Sequence, residues 1–489
     1  MEDNKMSLPQ KTTSNFLWRF FERCGAQAVS FFVSIVLARL LAPEVYGTIA
    51  LITVFTSILQ VFVDSGLGTA LVQKKNADDL DFSTVFFFNI GMCLCLYLLL
   101  FCAAPWIASF YEMPELEPVV RVLGLTLVIS GVRNIQQSYI SKHMLFKKFF
   151  FSTIGGVVIS AAVGIGMAYA GCGVWALVAQ NLVNQAVGTV ILWFTVQWRP
   201  HWTFSLGRLK TLFSYGWKLL ASSLLDTGYR QLQPLIIGKK YAETDLAFYN
   251  KGSQFPDIIV TNINTSIDSV LFPSMAAQQD HKERVRAMTR RAIRTSSYIM
   301  WPLMMGLAVC AEPIVRLLLT ETWLPCVPYL RIFCVSYVFY PIHTANLNAI
   351  KAMGRSDLFL ILEVCKKVIG LLVIGITMWF GVIWLAYSLL IISLISQVIN
   401  SYPNWKLLDY SYWKQLCDIL PSIGLSLAMG AVVYLVSFLG LPDLVTLLIQ
   451  VPLGAGIYFA GSKLFHFETL TYIENILKNY LHRGKKAAE

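Results

Sequence analysis

The sequence predicts an all-α polytopic membrane protein of about 14 transmembrane helices: two six-helix bundles related by a pseudo-two-fold axis along the membrane normal, plus two peripheral helices. Three observations predict it. The 489 residues are 56% hydrophobic and only 14% charged, with a mean hydropathy of +0.60, where a soluble chain is about 25% charged. Apolar runs of roughly 20 residues, the length a bilayer core demands, recur from end to end. Polar landmarks of the first half return in the same order 199–210 residues later, the mark of a duplication. The least hydrophobic stretch, Pro273 to Arg294, is too short for a soluble catalytic domain, which argues against an enzyme that needs one.

Spans are expected near 16–40, 47–71, 82–104, 118–140, 150–170 and 174–196, making residues 1–196 the first bundle. Residues 197–211, with Arg199, Arg208 and Lys210, read as a cytoplasmic linker. The second bundle, 212–401, holds spans near 212–238, 246–271, 295–317, 326–350, 358–380 and 382–401. A cytoplasmic loop at 402–415, two further spans within 416–462 and a basic amphipathic tail at 463–489 complete the chain. Spans 13 and 14 read as almost free of internal polar residues and are expected at the lipid-facing periphery.

The net charge of +11 is distributed by side. Lysines and arginines outside the spans concentrate in the termini and alternate loops, whereas the opposite loops hold only Arg39, Lys239, Lys240 and Arg316. This is the positive-inside pattern; it places both termini in the cytoplasm and accounts for the charge without nucleic acid. The most cationic loop, His281 to Arg294, reads as a surface anchor or as a holder of acidic lipid or lipid phosphate. No cleavable signal peptide is expected, because Arg19, Glu22 and Arg23 interrupt the place of its apolar core. The ten cysteines show no CxxC pair and read as inert thiols, with Cys172 and Cys326 both near the outer face.

Each bundle opens on a polar stripe. In the second, Lys218, Ser222, Asp226, Tyr229/Arg230 and Gln233 follow helical steps, and Lys251, Gln254, Asp257, Thr261, Asn264/Thr265 and Asp268 do the same on the next span. A charge at mid-bilayer costs roughly 2.5–3.5 kcal/mol or more, so two lipid-facing stripes are untenable and a shared water-filled path is expected. Arg19, Arg23, Gln27, Ser30 and Ser34 form the matching stripe of span one. Arg133, Gln136 and Ser138 answer His343, Asn346 and Asn348, and Asp64-Ser65 answers Asn264-Thr265.

The candidate cargo-binding bases are Arg19, Arg23, Arg133, Arg230, Lys251, Lys366 and Lys367. Snorkelling to the interface competes with that role for Arg19, Lys366 and Lys367. Asp64, Asp226, Asp257, Asp268 and Glu363 are the candidate counter-ions or coupling groups for a proton or sodium ion. No other cofactor and no metal is expected. His343 reads as a hydrogen-bonded helix residue. The excess of bases over acids favours an anionic cargo such as phosphate or uronate. Span two shows little beyond Asp64, so the second copy is expected to carry the cargo and coupling chemistry.

Leu37-Ala38-Arg39-Leu40-Leu41-Ala42-Pro43-Glu44-Val45-Tyr46-Gly47, Val63-Asp64-Ser65-Gly66-Leu67-Gly68-Thr69-Ala70-Leu71, Gly173-Val174-Trp175-Ala176-Leu177-Val178 and Trp198-Arg199-Pro200 resemble the polysaccharide-export branch of the MOP flippase superfamily. The likeness is to Wzx-type flippases of the colanic-acid and teichuronic-acid branch, over roughly residues 15–460. It implies alternating access between two six-helix bundles and transfer of an undecaprenyl-diphosphate-linked oligosaccharide from the cytoplasmic to the external leaflet of a bacterial inner membrane. It implies lipid-linked oligosaccharide and membrane lipids as partners, with the polysaccharide polymerase and glycosyltransferases nearby. The cargo role carries over to Arg19, Arg23, Arg230 and Lys251. Two other classes stay open: a cation-coupled multidrug exporter, which wants an acidic lumen, and a membrane glycosyl polymerase or ligase, which wants large external loops.

Overall fold

The computed structural model describes residues 25–64 and 66–475, whose regular elements are all helices, without a strand. In order they form α1 (Gly25–Leu40), α2 (Pro43–Asp64), α3 (Leu67–Gln73), α4 (Asp79–Tyr111), α5 (Leu116–Leu123), α6 (Leu125–His143), α7 (Phe146–Tyr169), α8 (Val174–Thr195), α9 (Leu206–Lys240) and α10 (Glu243–Ala276). There follow α11 (Lys282–Val309), α12 (Ala311–Leu318), a 3-10 turn (Glu321–Cys326), α13 (Val327–Tyr337), α14 (Tyr340–Ala352), α15 (Ser356–Thr377), α16 (Val382–Leu408), α17 (Tyr412–Leu435) and α18 (Asp443–Leu464).

On length and apolar composition, nine helical segments of the described residues qualify as spans, or ten if α11 and α12, bent by 64° at their junction, are one. The expected 14 are not all recovered, and the reason is chemical. The helices α9, α10 and α15 are long enough but carry the polar stripes, and α1 is described only from Gly25 and is short. The α11–α12 bend falls just before Pro313, whose ring obstructs the carbonyl one turn back and whose nitrogen has no hydrogen to donate.

The chain divides into two compact units, Met1–Ala247 and Phe248–Glu489. The division lies beyond the 197–211 linker, so α9, expected to open the second bundle, packs in the first unit against α2, α3 and α4. The linker explains this, because it is fastened to its own unit. Gln136 donates to the Trp198 carbonyl at 3.2 Å, and the His201 and Ser205 amides donate to Ser83 and Thr84 at 3.0 and 3.2 Å. Arg208 then pairs with Asp78 and with the fully buried Asp81, both at 3.2 Å, and Lys74 reaches Asp81 at 2.6 Å. Trp198 itself packs among Phe82, Phe86 and Tyr139.

Close backbone contact does the rest. Gly66, at φ +87°, breaks α2 from α3, and a Cβ there would stand 2.5 Å from the Gly216 carbonyl oxygen of α9. The α7–α8 hairpin closes in the same way: a Cβ on Gly156 would meet Asn184 at 2.8 Å. Small residues at such crossings are how helices pack without a hydrophobic driving force in lipid.

In the second unit, α11 packs on α14 and α17, and α13, α14 and α16 pack together. Its centre is polar: Asn346 and Asn404 exchange a 2.7 Å bond, and Gln415 accepts from Asn346 at 2.9 Å and from Ser401 at 3.1 Å. The helix α18 buries one narrow row, Thr446, Gln450, Gly454, Tyr458 and Ser462, while Leu444, Leu448 and Val451 stay exposed. The few polar residues of this span are therefore its packing seam. All nine described cysteines are free thiols.

Candidate functional site

A polar cavity of about 400 Å³ opens inside the first unit, walled by α2, α6 and α8 with the α5–α6 junction. The wall from α2 is the row Thr53, Thr56, Ser57, Gln60 and Asp64, whose steps of three and four place it on one helical face. Thr53 and Thr56 satisfy themselves by donating to the Ile49 and Ile52 carbonyls at 2.7 and 3.3 Å, which is why such a row tolerates an apolar setting. Facing it, Arg133 of α6 donates to Gln185 of α8 at 2.9 Å. Asp64 accepts from Gln60 at 2.9 Å and from Asn134 at 3.3 Å.

The lining thus holds one guanidinium and one carboxylate among amides and hydroxyls. Arg133 supplies a planar, permanently charged donor fork suited to phosphate or carboxylate, and the neutral groups offer paired donors and acceptors suited to sugar hydroxyls. No cluster of three or more His, Cys, Asp and Glu that would hold a metal occurs among the described residues.

Of the residues singled out from sequence, the structure brings Asp64 and Arg133 into this one cavity. Arg19 and Arg23 lie outside the described residues. Arg230 is largely exposed and pairs with Asp226 one turn earlier at 3.1 Å. Lys251 is 5% exposed, bonded to Gln254 at 3.1 Å and set 5.7 Å from the Trp323 ring; it is packed between α10 and the 3-10 turn. Asp257 is exposed on α10. Lys366 pairs with Glu363 at 2.5 Å, and Lys367 is half-buried beside it. His343 is enclosed between Ser393 at 3.3 Å and Asn400 at 3.4 Å.

Asp268 accepts from Asn348 at 2.8 Å, and this pair repeats Asp64–Asn134 of the first unit. Each joins a carboxylate to a carboxamide across two helices, α2 and α6 in the first case and α10 and α14 in the second. Against the sequence repeat, both partners sit one helical turn further along in the second copy. In both copies the amide oxygen of the asparagine is buried with no partner among the described residues.

Sequence reasoning missed the α2 row and, with it, Asn181 and Gln185. The expectation that span two has little beyond Asp64 is corrected: its polar face is continuous but uncharged, and a search led by charge passes over it. The spacing of Thr53, Thr56/Ser57, Gln60 and Asp64 was the available signal.

Residues 36–328 match the profile of a family described as polysaccharide biosynthesis protein. The chain belongs to that family. Proteins similar to this chain include the teichuronic acid biosynthesis protein TuaB of Bacillus subtilis (strain 168), 27% identical over 62% of this chain and 63% of TuaB. The match therefore spans under two thirds of that relative. The lipopolysaccharide biosynthesis protein WzxC of Escherichia coli (strain K12) is 24% identical over 87% of this chain and 89% of its own. In fold, the chain superposes on the lipid II flippase MurJ in an inward closed conformation with a TM-score of 0.72, at 15% identity, over 93% of this chain and all of MurJ. It is a multi-pass membrane protein of that family, and its fold is the one seen in the lipid II flippase MurJ.

Proposed function

We propose that the chain is an alternating-access flippase that moves a lipid-linked oligosaccharide, an undecaprenyl-diphosphate-linked repeat unit, from the cytoplasmic to the external leaflet of a bacterial inner membrane for polysaccharide export. The observation that carries the reading is the first-unit cavity, where Arg133 stands among amides and hydroxyls that match the donors and acceptors of a phosphorylated sugar. The family supplies the setting, and the likeness to a lipid II flippase supplies a fold that handles this class of cargo. Fourteen spans, cytoplasmic termini and two six-helix repeats belong to the same reading. They are supported by the basic-loop asymmetry and by the repeated Asp–Asn pair.

Arg133 holds the anionic group, and the α2 row with Asn181 and Gln185 reads the sugar. Asp64 and Asp268 are the coupling carboxylates of this scheme. The exposed Arg230–Asp226 pair and the Lys366–Glu363 pair steer cargo without enclosing it. In cells making the surface polymer, depleting this protein should leave the lipid-linked repeat unit on the inner leaflet and stop export. Continued export from depleted cells would refute the proposal, and so would resistance to cationic dyes as the sole phenotype of expression.

A further inference from the structure

The cationic segment His281–Arg294 is not a loop. From Lys282 it is the first turns of α11, continuous with the span. Its steps put Arg286, Arg290, Arg291 and Arg294, with Glu283 at one end, along one groove of about 480 Å³, closed on the far side by Glu468, Thr469 and Tyr472 of the segment after α18. Two of these arginines are committed. Arg290 makes a two-point pair with Asp418 of α17 at 2.7 and 2.8 Å, and Arg294 bridges Glu468 at 2.6 Å and Asp418 at 3.4 Å. Arg286 and Arg291 make no ion pair among the described residues; Arg291 lies 5.0 Å from the Tyr472 ring.

A second cavity of about 610 Å³ shares Arg294, Glu468 and Thr469 with the groove. Away from the shared, polar end that also holds Asp418, it has an apolar wall from Pro421, Leu425 and Ala428 of α17 and from Phe465 and Phe467. An arginine groove that runs into an apolar pocket is amphipathic, with room for an anion at one end and a hydrocarbon chain at the other. A polyanion such as nucleic acid has no use for the apolar end, and a free phosphate leaves it empty.

We propose that this pair of cavities binds an anionic glycerophospholipid, its phosphate between Arg286 and Arg291 and an acyl chain along Leu425 and Phe467. The lipid would bridge α11, α17 and the segment 467–475, adding to the Arg294–Glu468 pair that already ties them. The site is separate from the first-unit cavity and does not depend on the cargo assignment.

The test uses the full chain in detergent, with unfolding temperature and native mass spectrometry as readouts. Phosphatidylglycerol should raise the unfolding temperature and appear as a retained adduct, phosphatidylcholine should do neither, and sodium phosphate should give no comparable shift. Each basic contact to an anionic lipid surface is worth about 1 kcal/mol, so Arg286→Gln with Arg291→Gln should weaken phosphatidylglycerol binding on the order of thirtyfold. The same variant should unfold close to the wild-type temperature in phosphatidylcholine, because neither arginine is ion-paired and only the exposed Arg291–Tyr472 ring contact is lost. Equal shifts by the two phospholipids, a full shift by sodium phosphate alone, or undiminished phosphatidylglycerol binding in the double variant would overturn the proposal.

Discussion

Arg133 is the residue on which the site turns. It is a fixed charge that donates to Gln185 and has an open cavity before it. Replacing it with Ala should cut export at least tenfold while protein level holds, and Lys should restore part of it, since a point charge keeps the attraction but not the two-donor geometry. Asp64 takes the coupling role in the proposed scheme. Asp64→Asn should abolish the dependence of export on the proton gradient if this carboxylate couples, and Asp268→Asn should act in the same sense; unchanged dependence in both rejects the assignment. Away from the spans, Asp78 caps α4 by accepting from the Asp81 amide at 2.9 Å, and that bond holds its carboxyl below the usual range. A depressed carboxyl contributes stability that is present above its unfolded value and is lost as pH falls through the folded one. Acid should therefore loosen the start of α4, and Asp78→Ala should remove that sensitivity at a cost of about 1 kcal/mol.

At the scale of elements, the first unit depends on how closely α3 and α9 approach. Gly66 adopts a left-handed φ against the backbone of Gly216, so Gly66→Ala meets both strain and collision and should destabilise by about 1–3 kcal/mol. Hydrogen exchange should show the loss first in α3 and the start of α9. What was legible in sequence at this scale is clear from individual helices. The uninterrupted apolar helices were readable because lipid selects composition directly. The stripe on α10 was readable because its charges are costly. The hydroxyl row on α2 was not, since threonine and serine bond back to their own helix and leave no penalty to notice. The place of α9 was not readable either. It is set by contacts from Asp81, Ser83, Thr84 and Gln136 to residues more than sixty positions away, and no local pattern encodes such distance.

For the molecule as a whole, the proposed duplication is supported by the spaced landmarks and by the Asp64–Asn134 and Asp268–Asn348 pairs. The copies have diverged in what surrounds those pairs. The first keeps an open polar cavity, while in the second Asn346, Ser401, Asn404 and Gln415 bond mainly to one another. The sequence expectation put the cargo chemistry in the second copy, guided by its charges; the groups proposed to read the sugar line the cavity of the first unit. The direct measurement is transport by the purified chain in proteoliposomes, following movement of an undecaprenyl-diphosphate-linked oligosaccharide between leaflets with the wild type, Arg133→Ala and Gln185→Ala. The account predicts flipping by the wild type, a loss of tenfold or more for Arg133→Ala, and a smaller loss for Gln185→Ala. Wild-type rates in both variants, or no movement of any lipid-linked sugar by the wild type, would contradict it.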